Sequence, residues 1–217
     1  METFTLPSGK TLSFDPEAHR YFIGDEECPG SHHVMERYEI TEPMNEWARP
    51  YVERGSRVHL ATEQWDLGEF DESCEWAKSP EMKYLEAWKR FHVEHPEFGK
   101  ATLIEGLRGS EEAWYATKID RTYAGNKVVE IKTGSPYKYH PVQLALQSLL
   151  LVDCGGAAHT RHSVYLADDG TYTLKNWEEG EDAGVSWGVA DSIYDARSKV
   201  RAFNGTRRKP VKNVRSA

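Results

Sequence analysis

The chain has 217 residues, of which 39% are hydrophobic and 12% aromatic, so it can build a substantial core and is not expected to be disordered. Its three cysteines, Cys28, Cys74 and Cys154, form no CxxC pair, which argues against a disulfide scaffold, a cysteine zinc site and a four-cysteine iron–sulfur cluster. No apolar run approaches the roughly 20 residues that span a bilayer, and the N-terminus resembles no secretion signal, so we expect a cytoplasmic globular protein without a membrane partner.

The charge is unevenly distributed along the chain. The formal net charge is −8, which by itself argues against a nucleic-acid partner. However, Ala196–Ala217 contains eight Lys or Arg residues and no acid, which leaves 19 basic and 35 acidic residues elsewhere, a net charge of −16. This basic tail is either a solvated terminus or a source of phosphate contacts through residues such as Arg207, Arg208 and Lys209.

The N-terminal half predicts strands followed by helices. Hydrophobic alternation between turn signals predicts a β-meander over the first 25 residues, whereas Cys28–Pro43 is irregular. Pro50 is a good first residue for a helix to about Asp66, and one face of that helix carries Tyr51, Gly55, Val58, His59 and Thr62. After an acidic loop, Ser79-Pro80-Glu81 predicts the start of a second helix, which ends before Pro96.

The remaining elements alternate between strands and helices. They are strands Ala101–Arg108, Ala113–Tyr123 and Lys127–Lys132, a helix from His140 to about Gly155, strands Ser163–Ala167 and Thr171–Leu174, and a helix Val185–Ala202. No repeat or linker is visible. The order predicts a single α/β domain over residues 1–217, with a central mixed β-sheet flanked by helices and the N-terminal β-meander.

Lys118–Lys132 is the most informative segment. If Ala124–Asn126 form a three-residue hairpin loop, residues whose numbers sum to 250 pair across it, and Asp120 lies opposite Glu130. Alternation then places Glu130 and Lys132 on one face. Two paired carboxylates repel each other, so the pattern predicts a divalent cation between them, with Lys132 close enough to hold a water molecule. A solvated hairpin with mixed charges is the ordinary alternative.

Further polar residues lie near this hairpin, and each has an ordinary explanation. Glu105, on the preceding strand, is either a third metal ligand or an exposed acid. His59 follows Gly55 by one helical turn and is either functional or a satisfied core histidine. Gln143 and Gln147 share a stripe of an apolar helix, where a buried amide needs a partner; otherwise the stripe is solvated.

In order, these pieces resemble the PD-(D/E)XK nuclease superfamily, in particular its RecB-like and phage exonuclease branch. The matching segments are RGSRVH, LIEG, KID, EIKTG and QLALQ, which together with the N-terminal FDPEAHRYFIGDEE cover about Phe14 to Leu151. Two positions depart from the family pattern. Thr117 stands where many members have Gly, and Gln147 stands where the QxxxY motif has Tyr.

The resemblance implies a restriction-endonuclease-like core and a Mg²⁺- or Mn²⁺-dependent DNase, more an exonuclease than an endonuclease, without an iron–sulfur cluster. It implies metal binding by His59, Glu105, Asp120, Glu130 and the Ile131 carbonyl. Lys132 would be catalytic together with Asp120 and Glu130. Gln143 would support this face, and Thr133, in the same EIKTG segment, would contact nucleic acid.

The roles implied are phage-type DNA recombination, replication or degradation, in the host cytoplasm if the chain is phage-encoded. The expected partners are DNA, a single-strand annealing or recombinase protein, and further copies of the chain in a homo-oligomer. Two other functions stay open: a catalytically silent nuclease-fold module that binds DNA or a recombination partner, and a metal-dependent hydrolase of another substrate. Retention of Asp120, Glu130 and Lys132 favours the enzyme.

Overall fold

The computed structural model describes residues 1–43, 46–179 and 182–207, and the side chains of residues 182 and 204–207 are not described. The strands are β1 Glu2–Thr5, β2 Thr11–Asp15, β3 Arg20–Ile23, β4 Glu26–Cys28, β5 Ala101–Ser110, β6 Tyr115–Tyr123, β7 Lys127–Lys132, β8 Thr160–Leu166 and β9 Tyr172–Asn176. The helices are α1 Ser31–Arg37, α2 Arg49–Leu67, α3 Met82–Glu94, α4 His140–Asp153 and α5 Asp182–Arg207.

Two sheets organise the chain. Strands β1 to β4 form an antiparallel meander, as predicted, and β5 to β9 form the larger sheet in chain order. Within the larger sheet only β7 and β8 are parallel, with α4 as the crossover between them. The predicted α/β architecture, a mixed sheet flanked by helices and preceded by a meander, is therefore confirmed.

The β6–β7 hairpin has the predicted register. Its ladder pairs Tyr123 with Lys127 and Arg121 with Val129, so the residue numbers sum to 250. The predicted separation of faces is also observed. Val129 packs into the same apolar cluster as α3, whereas the alternate positions of β7 turn towards α4. The ladder stops one residue short of Asp120, where the candidate site begins.

Four apolar clusters among the described residues hold the layers together. One packs α3 against the larger sheet, a second packs α1, α4 and α5 together, a third joins the meander to β5 and β6, and a fourth packs α4 against β6, β7 and β8. Helix α5 is also anchored by cations of the predicted basic tail. The Nε of Arg197 donates to the Ala113 carbonyl at 2.7 Å, and the Arg201 guanidinium lies 3.4 Å from the centre of the Trp114 ring. These two cations therefore have structural contacts.

The short helix α1 is not predicted by the sequence pattern. It has seven residues, and the residue that precedes it, Gly30, supplies no side-chain cap. Its apolar residues, Val34 and Met35, are fully buried against α4 and α5. Tertiary packing therefore stabilises it. Within the described ranges, no helix combines the length and apolar character that a bilayer-spanning segment needs.

Candidate active site

Five elements bring polar side chains to one place beside the β6–β7 hairpin. Helix α2 contributes His59, β5 contributes Glu105, and β6 contributes Asp120. Strand β7 contributes Glu130 and Lys132, and α4 lies against them. Residues separated by more than 80 positions in the sequence therefore meet here.

Glu105 lies at a distortion of β5. Its φ is +45°, a left-handed conformation that is costly for a residue with a side chain, at roughly 1–3 kcal/mol. The next residue, Gly106, accepts the Leu103 side chain so closely that an added Cβ would lie 2.2 Å from it. The regular pairs on either side of the distortion, Ile104–Arg121 and Gly106–Ile119, place Glu105 opposite Asp120.

Where the β6–β7 ladder ends, the carboxylate of Asp120 takes the place of a backbone carbonyl as a hydrogen-bond acceptor. Its Oδ2 accepts a hydrogen bond from the Ile131 N–H at 2.7 Å. The residue is buried, with 6% of its surface exposed. Burial, followed by the negative charge of Glu130, raises the pKa of Asp120 to about 7. The proximity of Glu130 therefore contributes to the raised pKa of Asp120, although Asp120 and Glu130 are not a ladder pair.

His59 lies between two acids and a carbonyl. Its Nδ1 is 3.4 Å from Oε1 of Glu105 and 3.5 Å from Oδ1 of Asp120, and its Nε2 is 3.1 Å from the Ile131 carbonyl oxygen. Burial opposes the charged imidazolium, but the Asp120 and Glu105 charges outweigh it and raise the pKa of His59 to about 9. His59 therefore lies with the acids of the candidate site, and its functional role stays a prediction.

Glu130 is held by a cation and two amides. Its Oε1 accepts hydrogen bonds from Lys132 Nζ and Gln143 Nε2, both at 2.7 Å, and its Oε2 accepts one from Gln147 Nε2 at 2.7 Å. Burial favours the neutral acid, but the Lys132 ammonium outweighs it and lowers the pKa of Glu130. The same ion pair raises the pKa of Lys132 although burial opposes its charge.

Both glutamines therefore donate to the Glu130 carboxylate, whereas the buried amide oxygen of Gln147 has no hydrogen-bond partner among the described residues. Lys132 also donates to Gln143 Oε1 at 3.2 Å, so Gln143 touches both members of the ion pair. Gln147 occupies the position of the tyrosine in the family pattern and instead holds the second oxygen of Glu130. The sequence signal for this role is the spacing of four residues between two glutamines on an apolar helix.

One participant was missed by the sequence analysis. Arg121 is fully buried, and its guanidinium binds Asp66 at 2.5 Å, Glu105 at 3.0 Å and the Asp120 carbonyl at 2.6 Å. The guanidinium charge neutralises part of the negative charge of the surrounding acids, and its hydrogen bond holds Glu105 in place. A strand position next to Asp120 is the only signal in the sequence, and it does not reveal partners 16 and 55 residues away.

The remaining predicted residues lie beside the site or outside the described residues. Thr133 directly follows Lys132, and its carbonyl accepts a hydrogen bond from Arg54 Nη2 at 2.8 Å. The side chain of Arg207 and the whole of Arg208 and Lys209 lie outside the described residues. Their predicted contact with nucleic acid stays a prediction.

The donor set suits a hard divalent cation. Ligand atoms of His59, Glu105 and Asp120 all lie within 4.8 Å of one another, and the Ile131 carbonyl is next to His59. Carboxylate and carbonyl oxygens are the donors that Mg²⁺ and Mn²⁺ prefer, and an imidazole adds one nitrogen. Glu130 adjoins this group, and its Oε2, which accepts a hydrogen bond from Gln147, keeps lone-pair capacity for a cation.

No protein-family model matches the chain, and no curated protein matches it. One solved structure with a similar fold is the crystal structure of a "Putative exonuclease" from Eubacterium rectale. It has a TM-score of 0.49 and 10% sequence identity, and the match covers 88% of this chain and 85% of that chain. A likeness at this level carries no argument about activity, so the functional proposal below rests on the geometry of the site.

Proposed function

We propose that the protein is a Mg²⁺- or Mn²⁺-dependent deoxyribonuclease that hydrolyses phosphodiester bonds. The observation that carries the proposal is the convergence of His59, Glu105 and Asp120 within 4.8 Å, beside the Lys132 ammonium. Burial and the Glu130 charge raise the pKa of Asp120, and a bound cation would relieve the cost of ionising that carboxyl. The donor set and the raised pKa of Asp120 therefore support the proposal of a divalent ion.

Each residue has a distinct part in the proposed chemistry. His59, Glu105, Asp120 and the Ile131 carbonyl would hold the ion, with Glu130 as a further candidate ligand. When bound, the ion supplies positive charge that lowers the pKa of a water molecule and neutralises the phosphate group. Before it can bind, His59 must give up its proton, because a charged imidazole cannot be a ligand.

Lys132 would orient the attacking water or a phosphoryl oxygen. Its ammonium group is charged at neutral pH, since the Glu130 and Asp120 charges raise its pKa. Glu130 fixes its position at 2.7 Å, and Gln143 contacts both groups. This chain of contacts to α4 limits the motion of the ammonium group, which favours catalysis because a positioned group reacts without further ordering.

The finer assignment is part of the same proposal. The order of the five motifs supports a RecB-like or phage-type exonuclease of the PD-(D/E)XK superfamily, acting in DNA recombination, replication or degradation. The alternative, a silent nuclease-fold module, predicts binding of DNA without cleavage.

The direct test is hydrolysis of linear and closed-circular DNA by the purified protein. Activity should require Mg²⁺ or Mn²⁺ and disappear with EDTA, and cleavage of the linear substrate alone would support exonuclease action. Lys132→Met should lower the rate by about 10²- to 10⁴-fold, the usual worth of a positioned proton-transfer or water-orienting group. Undiminished cleavage by Lys132→Met, or by the wild type in EDTA, would contradict the proposal.

The chain provides its own matched control. Glu81-Met82-Lys83 repeats the Glu-x-Lys spacing at the start of α3, where Lys83 binds Glu86 at 2.8 Å on the protein surface. Lys83→Met removes the same charge from the same sequence context without touching the site. It should cleave DNA at the wild-type rate.

A further inference from the structure

Aromatic side chains are exposed on the two segments that lead away from the candidate active site. Trp47, in the 3₁₀ turn just before α2, is 87% exposed, and Tyr51, in the first turn of α2, is 65% exposed. Tyr137, in the loop that follows Lys132, is 58% exposed. Single exposed rings are common on protein surfaces, but aromatic rings grouped beside a candidate active site can serve as contacts for a ligand. These rings lie on the segments that carry His59 and Lys132.

Gly55 lies in α2, on the side that faces the loop after β7. It lies on the α2 face that carries Tyr51 one turn earlier and His59 one turn later, so Tyr51 is about 11–12 Å along the helix from His59. A Cβ added to Gly55 would meet only Thr133 Oγ1, at 3.9 Å, which is an ordinary contact. Among the described residues, nothing therefore requires glycine at this position, although it costs the helix roughly 1 kcal/mol relative to alanine.

A hydrogen bond joins α2 to the loop that follows β7. Arg54 Nη2 donates to the Thr133 carbonyl at 2.8 Å, which ties α2 to the loop after β7. The same guanidinium lies 5.3 Å from the Tyr51 ring centre, a cation–π distance. A cation therefore lies beside an exposed ring, about two turns from the candidate active site.

Tyr137 has ring and backbone contacts although its ring is exposed. The ring is parallel to that of Tyr139, with centroids 5.6 Å apart and an interplanar angle of 14°, and its backbone N–H donates to His140 Nδ1 at 3.3 Å. His140 is buried, and the Tyr165 hydroxyl lies 2.7 Å from the same nitrogen. Burial lowers the pKa of His140 to about 4, so the ring stays neutral and able to accept at neutral pH.

We propose that the surface formed by Tyr51, Gly55, Thr133 and Tyr137 binds single-stranded DNA on its way to or from the active site. We call it the aromatic path. Bases would stack on Tyr51 and Tyr137, and Gly55 would let the sugar–phosphate backbone approach the helix. Exposed aromatic rings with neighbouring cations are the usual means of binding single strands without regard to sequence. As a statement about substrate, the inference rests on the proposed nuclease function.

Binding separates this inference from catalysis. We would measure fluorescence anisotropy with a labelled single-stranded oligonucleotide, in Mg²⁺ and in a Lys132→Met background that suppresses cleavage. Tyr51→Ala and Tyr137→Ala should each weaken binding about 5- to 100-fold, the range reported for loss of one base–aromatic stack. Tyr51→Phe and Tyr137→Phe should retain it, because the ring remains.

Two matched comparisons identify stacking as the cause. An abasic oligonucleotide of the same length keeps its phosphates and loses its bases, so the alanine variants should bind it as the parent does. Tyr38, which is 37% exposed at the end of α1, provides a control, and Tyr38→Ala should not change binding. Thermal unfolding of each variant shows that it is folded.

The outcomes distinguish the aromatic path from the nuclease proposal. Unchanged affinity of both alanine variants for the base-containing strand, or an equal loss on the abasic strand, would overturn the aromatic path. If the wild-type protein cleaves DNA and the alanine variants bind it as tightly as their parent does, the nuclease proposal stands and the aromatic path is refuted. Conversely, ring-dependent binding by a wild-type protein that cleaves nothing would support the path and refute the nuclease.

Discussion

Removing the charge of Asp120 should stabilise the protein in the absence of divalent ions. Burial, followed by the Glu130 charge, raises the pKa of Asp120 from 3.8 to about 7. Because each tenfold change in an acid constant corresponds to about 1.4 kcal/mol, the ionised carboxylate costs the folded chain about 4 kcal/mol at pH 8. Asp120→Asn removes this cost and keeps an oxygen that can accept the Ile131 N–H.

The pH dependence has a defined sign. The pKa of Asp120 is higher in the folded chain than in the unfolded chain, so wild-type stability falls as pH rises from about 4 to about 7. His59 acts in the same direction. Its pKa is raised to about 9, so its stabilising contribution is complete below about 6.5 and is lost as pH rises through about 9. The asparagine variant should therefore show a flatter stability curve.

The assay is urea unfolding in EDTA at pH 5 and pH 8. Asp120→Asn should be more stable than the wild type by about 4 kcal/mol at pH 8 and by less than about 2 kcal/mol at pH 5, where only the unfolded wild type is ionised at this position. Asp25→Asn, in an exposed turn, should change stability by less than about 0.5 kcal/mol at either pH.

A divalent ion should reduce the stability advantage of Asp120→Asn at pH 8. Wild-type protein should gain about 2.7 kcal/mol when Mn²⁺ is present at 100 times its dissociation constant, whereas Asp120→Asn should gain little, because one ligand has lost its charge. The reasoning would be refuted if the variant were less stable than the wild type in EDTA at pH 8. It would also be refuted if Mn²⁺ stabilised both proteins equally.

Three further changes test other parts of the structure. Gly55→Ala should raise the free energy of unfolding by about 0.5–1 kcal/mol and weaken binding of single-stranded DNA; a stabilised variant with unchanged affinity would contradict the aromatic path. Gln147→Leu removes a hydrogen bond that lowers the pKa of Glu130, so the acidic limb of the kcat/KM profile should move to higher pH, and an unmoved limb would exclude this role. Arg161→Leu should cost about 3–5 kcal/mol in urea unfolding, because the buried guanidinium binds Glu178 at 2.6 Å, Ser186 at 2.8 Å and several carbonyls, and a loss below 1 kcal/mol would contradict this.

The hairpin shows what local sequence determines. A three-residue loop fixes the register of the strands that it joins, and the observed Tyr123–Lys127 pair follows from that loop length. In the loop, Gly125 and Asn126 have φ values of +74° and +55°, which these residue types tolerate. The position of Glu130 and Lys132 on one face follows from the period of two residues in a strand.

The contacts of Glu130 show what the local pattern does not determine. The sequence suggests that Asp120 and Glu130 share a cation, whereas the structure places Lys132, Gln143 and Gln147 around Glu130. That arrangement depends on how α4 packs on the sheet, which no spacing within the hairpin encodes. Arg121 is a similar case, because its partners come from α2 and β5.

Diffraction from crystals soaked in Mn²⁺, recorded at a wavelength where manganese scatters anomalously, tests the central claim most directly. The account predicts an anomalous peak in contact with His59, Glu105 and Asp120, and no such peak in Asp120→Asn crystals treated in the same way. An ordered active site without a manganese peak, at a concentration that supports cleavage, would contradict it.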